Sequence, residues 1–378
     1  MRVHRVRAHA ALLPQLCPEL PRKSEVRSMV AVQVADLMAV DPKAELAAAA
    51  RTGLHAGPGG DLFRNLLASS LCCSHAVTVQ VQVHLKSRRE WRLVGVPYTS
   101  AQAPGGIARA IEVLRSRGLA ERLGRLGVLD AGDLRLQEPS GTRGPSGLLN
   151  EAALGELVEA TRVQTRSARE HGDRLLLIGG DCPVMLGALA GMGERPGLLM
   201  LDGHEDAWLP AQSPTGEASD SELAIALGIV SDRLPAPLDR LVPLLDPGDV
   251  ALLGPRDRAE IDAAGARSVQ GHLALFLSGQ ETSRADSPAA TALRALETPD
   301  FWLHIDLDVL ATDAFGAADY LQPGGLTWGE LDAIAGTAVA DARCRGASVV
   351  IYNPELDPDR HAADQVIEFV CRLIGEDA

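Results

Sequence analysis

Residues 197–206 have the sequence GLLMLDGHED and join a predicted buried strand to a group of polar side chains. The first five residues are apolar or small, which predicts a strand inside a covered sheet. Asp202, His204 and Asp206 follow at alternate positions, and alternate side chains of an extended chain point the same way. Parallel sheets bind ligands at the carboxyl ends of their strands. Because such a group is costly to bury without a cation, the sequence predicts a metal site at this strand end.

A second stretch further along the chain repeats this arrangement. Residues 301–308, FWLHIDLD, end another apolar strand in two carboxylates, Asp306 and Asp308. One Asp-x-Asp pair is weak evidence, but two strand-end motifs in one domain are rarely accidental. Their oxygen and nitrogen donors suit a pair of divalent cations. His304 is expected on the same side, either supporting the site or as a hydrogen-bonded core residue.

Two further motifs also follow predicted strands. Residues 177–183, LIGGDCP, contain a glycine pair that lets the backbone turn close to the site. Residues 351–358, IYNPELDP, place Glu355 and Asp357 just beyond another strand. The sequence therefore predicts four polar segments, each of which follows the end of a strand.

From Trp91 onward, apolar strand-like runs alternate with helical segments, which predicts an α/β fold with a mainly parallel sheet in a three-layer αβα arrangement. We expect one domain over residues 91–378. Residues 1–90 differ in composition and are expected to be a poorly ordered N-terminal extension. Within that extension, Pro42–Ala50 favours a short helix and Val77–Leu85 alternates like a strand.

Bulk properties exclude several classes of function. The chain has 378 residues and a net charge of −14, which argues against nucleic acid as a partner. No apolar run approaches the roughly 20 residues of a membrane helix. The six cysteines lack disulfide-framework spacing, and the first residues lack the apolar core of a signal peptide. A cytoplasmic protein is expected.

The four motifs resemble, in order and spacing, those of the ureohydrolases, the family of arginase, agmatinase and formiminoglutamase. The family patterns are GGDH, DAHxD, DxD and ExNP, and this chain has GGDC, DGHED, DLD and IYNP at the corresponding places. The resemblance covers about residues 91–375. It implies an arginase-like fold and a homo-oligomer.

The resemblance also implies a chemistry. Two divalent metals, Mn²⁺ in the family, would hold a bridging hydroxide that attacks the amidine carbon of a small guanidino or formimino substrate and releases urea or formamide. Asp206 would accept a hydrogen bond from that hydroxide. The implied metal ligands are Cys182, Asp202, His204, Asp206, Asp306 and Asp308.

Four positions depart from the family pattern. Cys182 stands where the family has His; as a ligand it favours Zn²⁺, Fe²⁺, Co²⁺ or Ni²⁺, and otherwise it is a protonated buried thiol. Ile351 stands where the family has the Glu that holds the guanidinium, so Glu355 is either a substitute or a solvated side chain. Trp208 and Ser219 occupy substrate-binding positions that are Asn and His in many members. Glu217, Asp220 and Glu222 follow; each could contact a cationic substrate tail, but solvated loop charges are expected.

Two other readings stay open. A catalytically drifted or non-catalytic binding protein on the same fold would explain the substitutions at 182, 208, 219 and 351. A deacetylase-like enzyme with a single zinc ion is the other hypothesis; it would require two consecutive His residues, which this sequence does not have. Metal stoichiometry separates the three.

Overall fold

The computed structural model describes residues 90–230 and 233–375, together with the backbone of two strands before them. The chain divides into two units, Met1–Lys86 and Ser87–Ala378. In the first unit, β1 (Asn65–Ser70) and β2 (Val77–Gln82) pair antiparallel. The strand predicted at Val77–Leu85 is thus present, whereas the helix predicted at Pro42–Ala50 lies outside the described residues.

The second unit is built on a sheet that has eight strands within the described residues. The strands are β3 (Trp91–Gly95), β4 (Leu129–Asp133), β5 (Arg174–Ile178), β6 (Gly197–Leu201), β7 (Val250–Leu253), β8 (Leu275–Leu277), β9 (Phe301–Asp306) and β10 (Cys344–Val350). Their order across the sheet is β4-β3-β5-β10-β9-β6-β7-β8, and all neighbours pair in parallel.

Helices cover both faces of this sheet, as predicted, and give the three-layer arrangement. The helices are α1 (Ala110–Ser116), α2 (Leu119–Arg125), α3 (Glu151–His171), α4 (Val184–Met192), α5 (Glu222–Ala226), α6 (Leu238–Leu241), α7 (Arg258–Ala264), α8 (Gly279–Arg284), α9 (Pro288–Ala295), α10 (Trp328–Ala340) and α11 (His361–Ile374). One layer packs α3 against α4 and α4 against α5; the other packs α9, α10 and α11 in succession, with α1 and α2 against α11. No helix in the described part of the chain is long and apolar enough to cross a membrane.

The central strands were the easiest to predict, because both of their faces are buried. All five residues of β6 and all six of β9 are buried, so each appears in the sequence as a continuous apolar run. The apolar run at residues 126–129, which the sequence predicts as a strand, is not one: Leu126 is the C-cap of α2, and β4 starts at Leu129. β4 lies at the sheet edge with mostly exposed side chains, so its sequence lacks the apolar signal. The edge strand β8 was also missed: its sequence LFL is apolar, but it has only three residues.

Candidate metal centre

Four adjacent strands, β5, β10, β9 and β6, bring the sequence motifs to one place. Cys182 follows β5, Ile351 follows β10, and Asp306 ends β9. Asp202 is the first residue after β6. Because all four strands run in parallel, their carboxyl ends meet at the same edge of the sheet, and the polar side chains meet there too.

Turns, rather than an extended chain, aim these side chains. The strand before Asp202 ends at Leu201, and the His204 backbone N–H donates to Asp202 Oδ1 at 2.7 Å. Asp206 has φ 45°, a left-handed conformation that carries its carboxylate back towards the site. Asp306 Oδ1 likewise accepts from the Asp308 backbone N–H at 2.7 Å. The expected convergence is present, but the extended-strand reason given for it was wrong.

The potential ligand atoms of the described residues form three overlapping groups that share Asp202; two of them contain several acidic side chains, and the third joins Asp202 and Cys182 to His304. In the first group, His204 Nδ1 lies 2.8 Å from Asp308 Oδ2 and 3.9 Å from Asp202 Oδ1. The second group brings one atom from each of four residues within 4.8 Å of one another, and its members are Cys182, Asp202, Asp206 and Glu222. The Cys182 thiol donates to Asp306 Oδ2 at 2.8 Å, so Asp306 lies against the second group.

These carboxyl groups are almost completely removed from solvent. Asp202 is 0% exposed, and Asp306 and Asp308 are each 3% exposed. Burial, followed by the neighbouring Asp206 and Asp308, raises the pKa of Asp202 well above its usual value. Among the described residues, Asp202 Oδ2 has no hydrogen-bond partner. A buried carboxylate oxygen without a donor is a position that a cation would satisfy.

His204 is the cationic partner within the first group. Burial lowers its pKa, but the adjacent Asp308 carboxylate outweighs burial and raises the pKa to about 9. Burial alone would raise the pKa of Asp308, but the charge of His204 and its hydrogen bond outweigh burial, so that the pKa of Asp308 is lowered. Without metal, the two side chains therefore form an ion pair.

The metal-free protein is expected to lose stability as the pH rises from about 6.5 to 9. The folded pKa of His204, about 9, exceeds its usual 6.5, so the stabilisation is complete below 6.5 and disappears as His204 loses its proton. A shift of this size is worth about 3 kcal/mol, or several degrees in melting temperature. Thermal unfolding in chelator across this pH range measures the loss. The same scan with Mn²⁺ should show a stabilisation by metal that grows with pH, since metal and protons compete for the ligands. A melting temperature in chelator that does not change with pH would contradict the raised pKa of His204.

The loop before Cys182 is built to bring its backbone close to the strands. Gly180 has φ 72°, and a Cβ there would meet the carbonyl oxygen of Val96 at 2.7 Å, so only glycine fits. Asp181 points away from the metal groups: its Oδ2 accepts from the Ser100 backbone N–H at 2.7 Å and from the Ser100 hydroxyl. Its carboxylate therefore fixes the loop that carries Cys182.

His304 is a buried residue beneath the site. It is 0% exposed, and its Nδ1 lies 2.7 Å from Ser348 Oγ. Burial lowers its pKa to about 3, so the ring is neutral. A ring nitrogen also lies within 4.8 Å of Cys182 and Asp202 ligand atoms. The hydrogen-bonded core position and the support of the site, which the sequence left as alternatives, are thus combined in one side chain.

An acidic cavity of about 320 Å³ opens above the carboxylates. Trp208, Ser219 and Ile351 line it, as do Asp220, Asp257, Glu260, Asp319, Tyr320 and Gln322. The described part of its wall contains no Lys or Arg. Glu355 lies elsewhere: it is exposed and accepts from the Gly106 backbone N–H at 3.0 Å. The structure thus gives Glu355 a loop contact in place of the predicted substrate contact.

The sequence analysis misjudged three carboxylates of this region. Glu217 and Glu222 were expected in solvent, yet they are 9% and 0% exposed, and Glu222 belongs to the second group of candidate ligands. Asp319 was not considered, and it forms part of the cavity wall. A signal for Glu222 was present, because it opens the apolar helix 222–226, ELAIA, which has to be buried. Asp319 lies in a loop whose sequence gives no such signal.

Comparison with known proteins agrees with this geometry. The model of the arginase family matches residues 90–375. Arginase from Bacillus caldovelox is 27% identical over 75% of this chain and 97% of its own length, and arginase from Staphylococcus aureus (strain MRSA252) is 24% identical over 75% and 96%. The crystal structure of the B. caldovelox arginase aligns over 77% of this chain and 99% of its own with a TM-score of 0.65 at 24% identity.

The family match spans the whole second unit apart from its first and last few residues, and the fold, strand order and motif positions are consistent with it. The departures at Cys182 and Ile351 lie within this shared framework. The chain belongs to the arginase family and is a hydrolase of carbon–nitrogen bonds in linear amidines.

Proposed function

We propose that this protein is a binuclear-metal ureohydrolase that releases urea from a small, positively charged guanidino compound. The observation that carries the proposal is the convergence of five Asp and His ligand candidates at the base of an acidic cavity. His204, Asp206, Asp306 and Asp308 line that cavity, and Asp202 is buried against them. Three of them, Asp202, Asp206 and Asp306, are carboxyls whose pKa burial raises, as expected of anionic groups gathered for a cation.

The donor set fits two divalent cations. His204, Asp202 and Asp308 would hold one of them, and Cys182, Asp202 and Asp206 the other, with Asp306 beside both groups. Bound together, the cations would lower the pKa of a water molecule and stabilise the negative charge of the transition state. We propose that both cations are Mn²⁺. Because Cys182 offers a thiol, Zn²⁺, Fe²⁺, Co²⁺ and Ni²⁺ are the alternatives.

Asp206 is the proposed catalytic residue. Its carboxyl group faces the cavity, 8% of the residue is exposed, and burial and then Glu222 raise its pKa. A carboxylate with a raised pKa can take the proton that the attacking water loses and return it to the leaving amine. Gly203 helps to form this floor, because a side chain there would meet Asp308 Oδ1 at 2.8 Å.

The charge of the cavity favours a guanidino over a formimino amino acid substrate. Asp319, Asp220 and Glu260 line the wall around the mouth, and the described wall has no Lys or Arg to pair with a carboxylate on the substrate. The curated arginases and a structural neighbour, the proclavaminate amidino hydrolase of Streptomyces clavuligerus (18% identity, TM-score 0.53, covering 76% of this chain and 91% of its own), support an amidino substrate.

Asp319 is the side chain best placed to bind the cationic substrate, in place of the Glu that the family has at position 351. Asn353 Nδ2 donates to both Asp319 oxygens, at 2.9 and 3.1 Å, which fixes the carboxylate in the cavity wall. Trp208 and Ser219 are also part of the cavity wall. The Asn-Pro motif is therefore proposed to act through Asp319.

Asp319→Asn is expected to raise KM for a cationic guanidino substrate about 10-fold and to change kcat less, because it removes one charge-assisted contact. Steady-state kinetics measure both constants. Asp313→Asn is the matched control, since Asp313 is exposed in the same segment and is not part of the cavity wall. Equal KM values for the two variants would remove Asp319 from the proposed binding site.

The reaction class is tested by stripping the protein with chelator, reloading it with Mn²⁺ and offering two substrate panels. Guanidino compounds with cationic, neutral or carboxylate tails are assayed for urea, and formimino amino acids for formamide. We expect the wild-type protein to release urea from cationic guanidino compounds, and the Asp306→Asn variant to release none. A fully loaded protein that is inactive on both panels would favour the binding-protein alternative. The homo-oligomeric state and cytoplasmic location stay predictions.

A further inference from the structure

Glu222 is a buried carboxyl group that faces another acid. It is the first residue of α5 and is 0% exposed. Among the described residues, no hydroxyl or side-chain N–H group donates to Oε1 or Oε2, and the side-chain partner of Glu222 is the carboxyl group of Asp206. A carboxylate in this position carries a large desolvation cost unless a cation or a proton neutralises it.

The position of Glu222 is fixed by the turn that carries Asp206. The Leu223 backbone N–H donates to the Asp206 carbonyl oxygen at 3.0 Å, and the Ile225 N–H donates to the Ser221 carbonyl oxygen at 2.9 Å. The first turn of α5 is thereby tied to the metal-binding segment. As a result, a Glu222 carboxylate oxygen lies within 4.8 Å of ligand atoms of Cys182, Asp202 and Asp206.

We propose that Glu222 is a ligand of the divalent cation on the Cys182 side of the site. The inference rests on the proposed binuclear function and deepens it. The two metal positions then differ in chemistry: the His204 side has an imidazole, and the Cys182 side has a carboxylate from α5. Glu222 supplies a hard oxygen donor where this chain has Cys182, so that Mn²⁺ can bind beside a soft sulfur.

A cation explains the local arrangement better than a shared proton does. A shared proton can pair two carboxyl groups, and Glu222 has Asp206 as such a neighbour. Here, however, ligand atoms of four residues lie within 4.8 Å of one another. A divalent ion satisfies several such atoms at once, at the short distances that carboxylate ligands take. The apolar helix that follows Glu222 holds the carboxylate against the site in either state.

Glu222→Gln tests the proposal, because the amide has the same shape and no charge. Chelator-treated protein is titrated with Mn²⁺, and free Mn²⁺ is followed by electron paramagnetic resonance, which counts sites without using activity. We expect wild type to bind two ions and Glu222→Gln to bind one as wild type does, with the second weakened about 100-fold or more. Glu217→Gln is the matched control, since Glu217 is in the same loop but is not a member of the candidate ligand groups. Its affinities for the first and the second Mn²⁺ ion should equal those of wild type.

Two further measurements separate ligand loss from misfolding. Without metal, Glu222→Gln should melt at the same or a higher temperature than wild type, because a buried charge has been removed. Glu222→Asp keeps the charge but withdraws it by one methylene, and should also weaken the second ion. Two ions bound to Glu222→Gln with wild-type affinity would overturn the Glu222 assignment and leave the hydrolase proposal standing. Wild-type protein that binds no Mn²⁺ would overturn both.

Discussion

Asp202→Asn is expected to abolish metal binding at both positions and to lower kcat/KM at least about 1000-fold. Asp202 is the residue common to all three ligand groups, and its Oδ2 is buried without a partner in the described structure. The amide can still accept the His204 backbone hydrogen bond through its oxygen, so the turn is preserved. The other amide atom is an NH₂ group, which cannot bind a cation.

The variant is measured by metal content after dialysis and by urea release. Asp286→Asn, at an exposed position outside the site, is the control for the loss of one negative charge. In chelator, Asp202→Asn should be at least as stable as wild type, since burial and its carboxylate neighbours raise the pKa of Asp202 and make its charge unfavourable. Two bound ions together with activity near that of wild type would contradict the central role of Asp202.

Cys182→His is expected to strengthen Mn²⁺ binding on its side of the site by about 10-fold or more at pH 7. Burial, followed by the charge of Asp306, raises the pKa of the Cys182 thiol well above its usual value of 9.0. A metal that binds the thiolate must therefore displace a proton, at a cost of at least about 100-fold in affinity at pH 7. A neutral imidazole needs no such displacement.

Proton release provides the decisive measurement. Calorimetric titration with Mn²⁺, in buffers of different ionisation enthalpy, counts the protons released per ion. Cys182→His should release one proton fewer than wild type on filling the second position. Cys344→Ala is the control, since Cys344 is also buried but lies in β10 away from the ligand groups. Equal proton release by Cys182→His and wild type would show that the thiol stays protonated and is not a ligand.

The motifs were readable from the sequence because the central strands are buried on both faces. A strand such as β9 has to be apolar throughout, so the change to Asp306 and Asp308 marks its end clearly. The same logic located β5, β6 and β10 and placed Cys182 at a strand end. It failed at the sheet edges, where exposed residues of β4 carry no such pattern.

The direction of each ligand followed from local turns that no periodicity encodes. Asp206 has a left-handed backbone, and Asp306 accepts a hydrogen bond from the backbone of Asp308. Both are properties of short, non-repeating segments. The sequence analysis expected these side chains to converge because alternate residues of an extended strand point the same way. They do converge, but the chain is not extended there.

By itself, the sequence determined the parallel sheet, the four motifs and five of the metal ligand candidates, since each follows from a local pattern. Only the tertiary structure decided which additional carboxylates lie beside these candidates or line the same cavity. Cys182 meets Asp306 across 124 residues of chain, Glu222 is buried because α5 packs against its neighbours, and Asp319 is held by Asn353 from another loop. Whether a carboxylate is solvated or faces a metal depends on burial and on partners distant in sequence, and those exist only once the chain has folded.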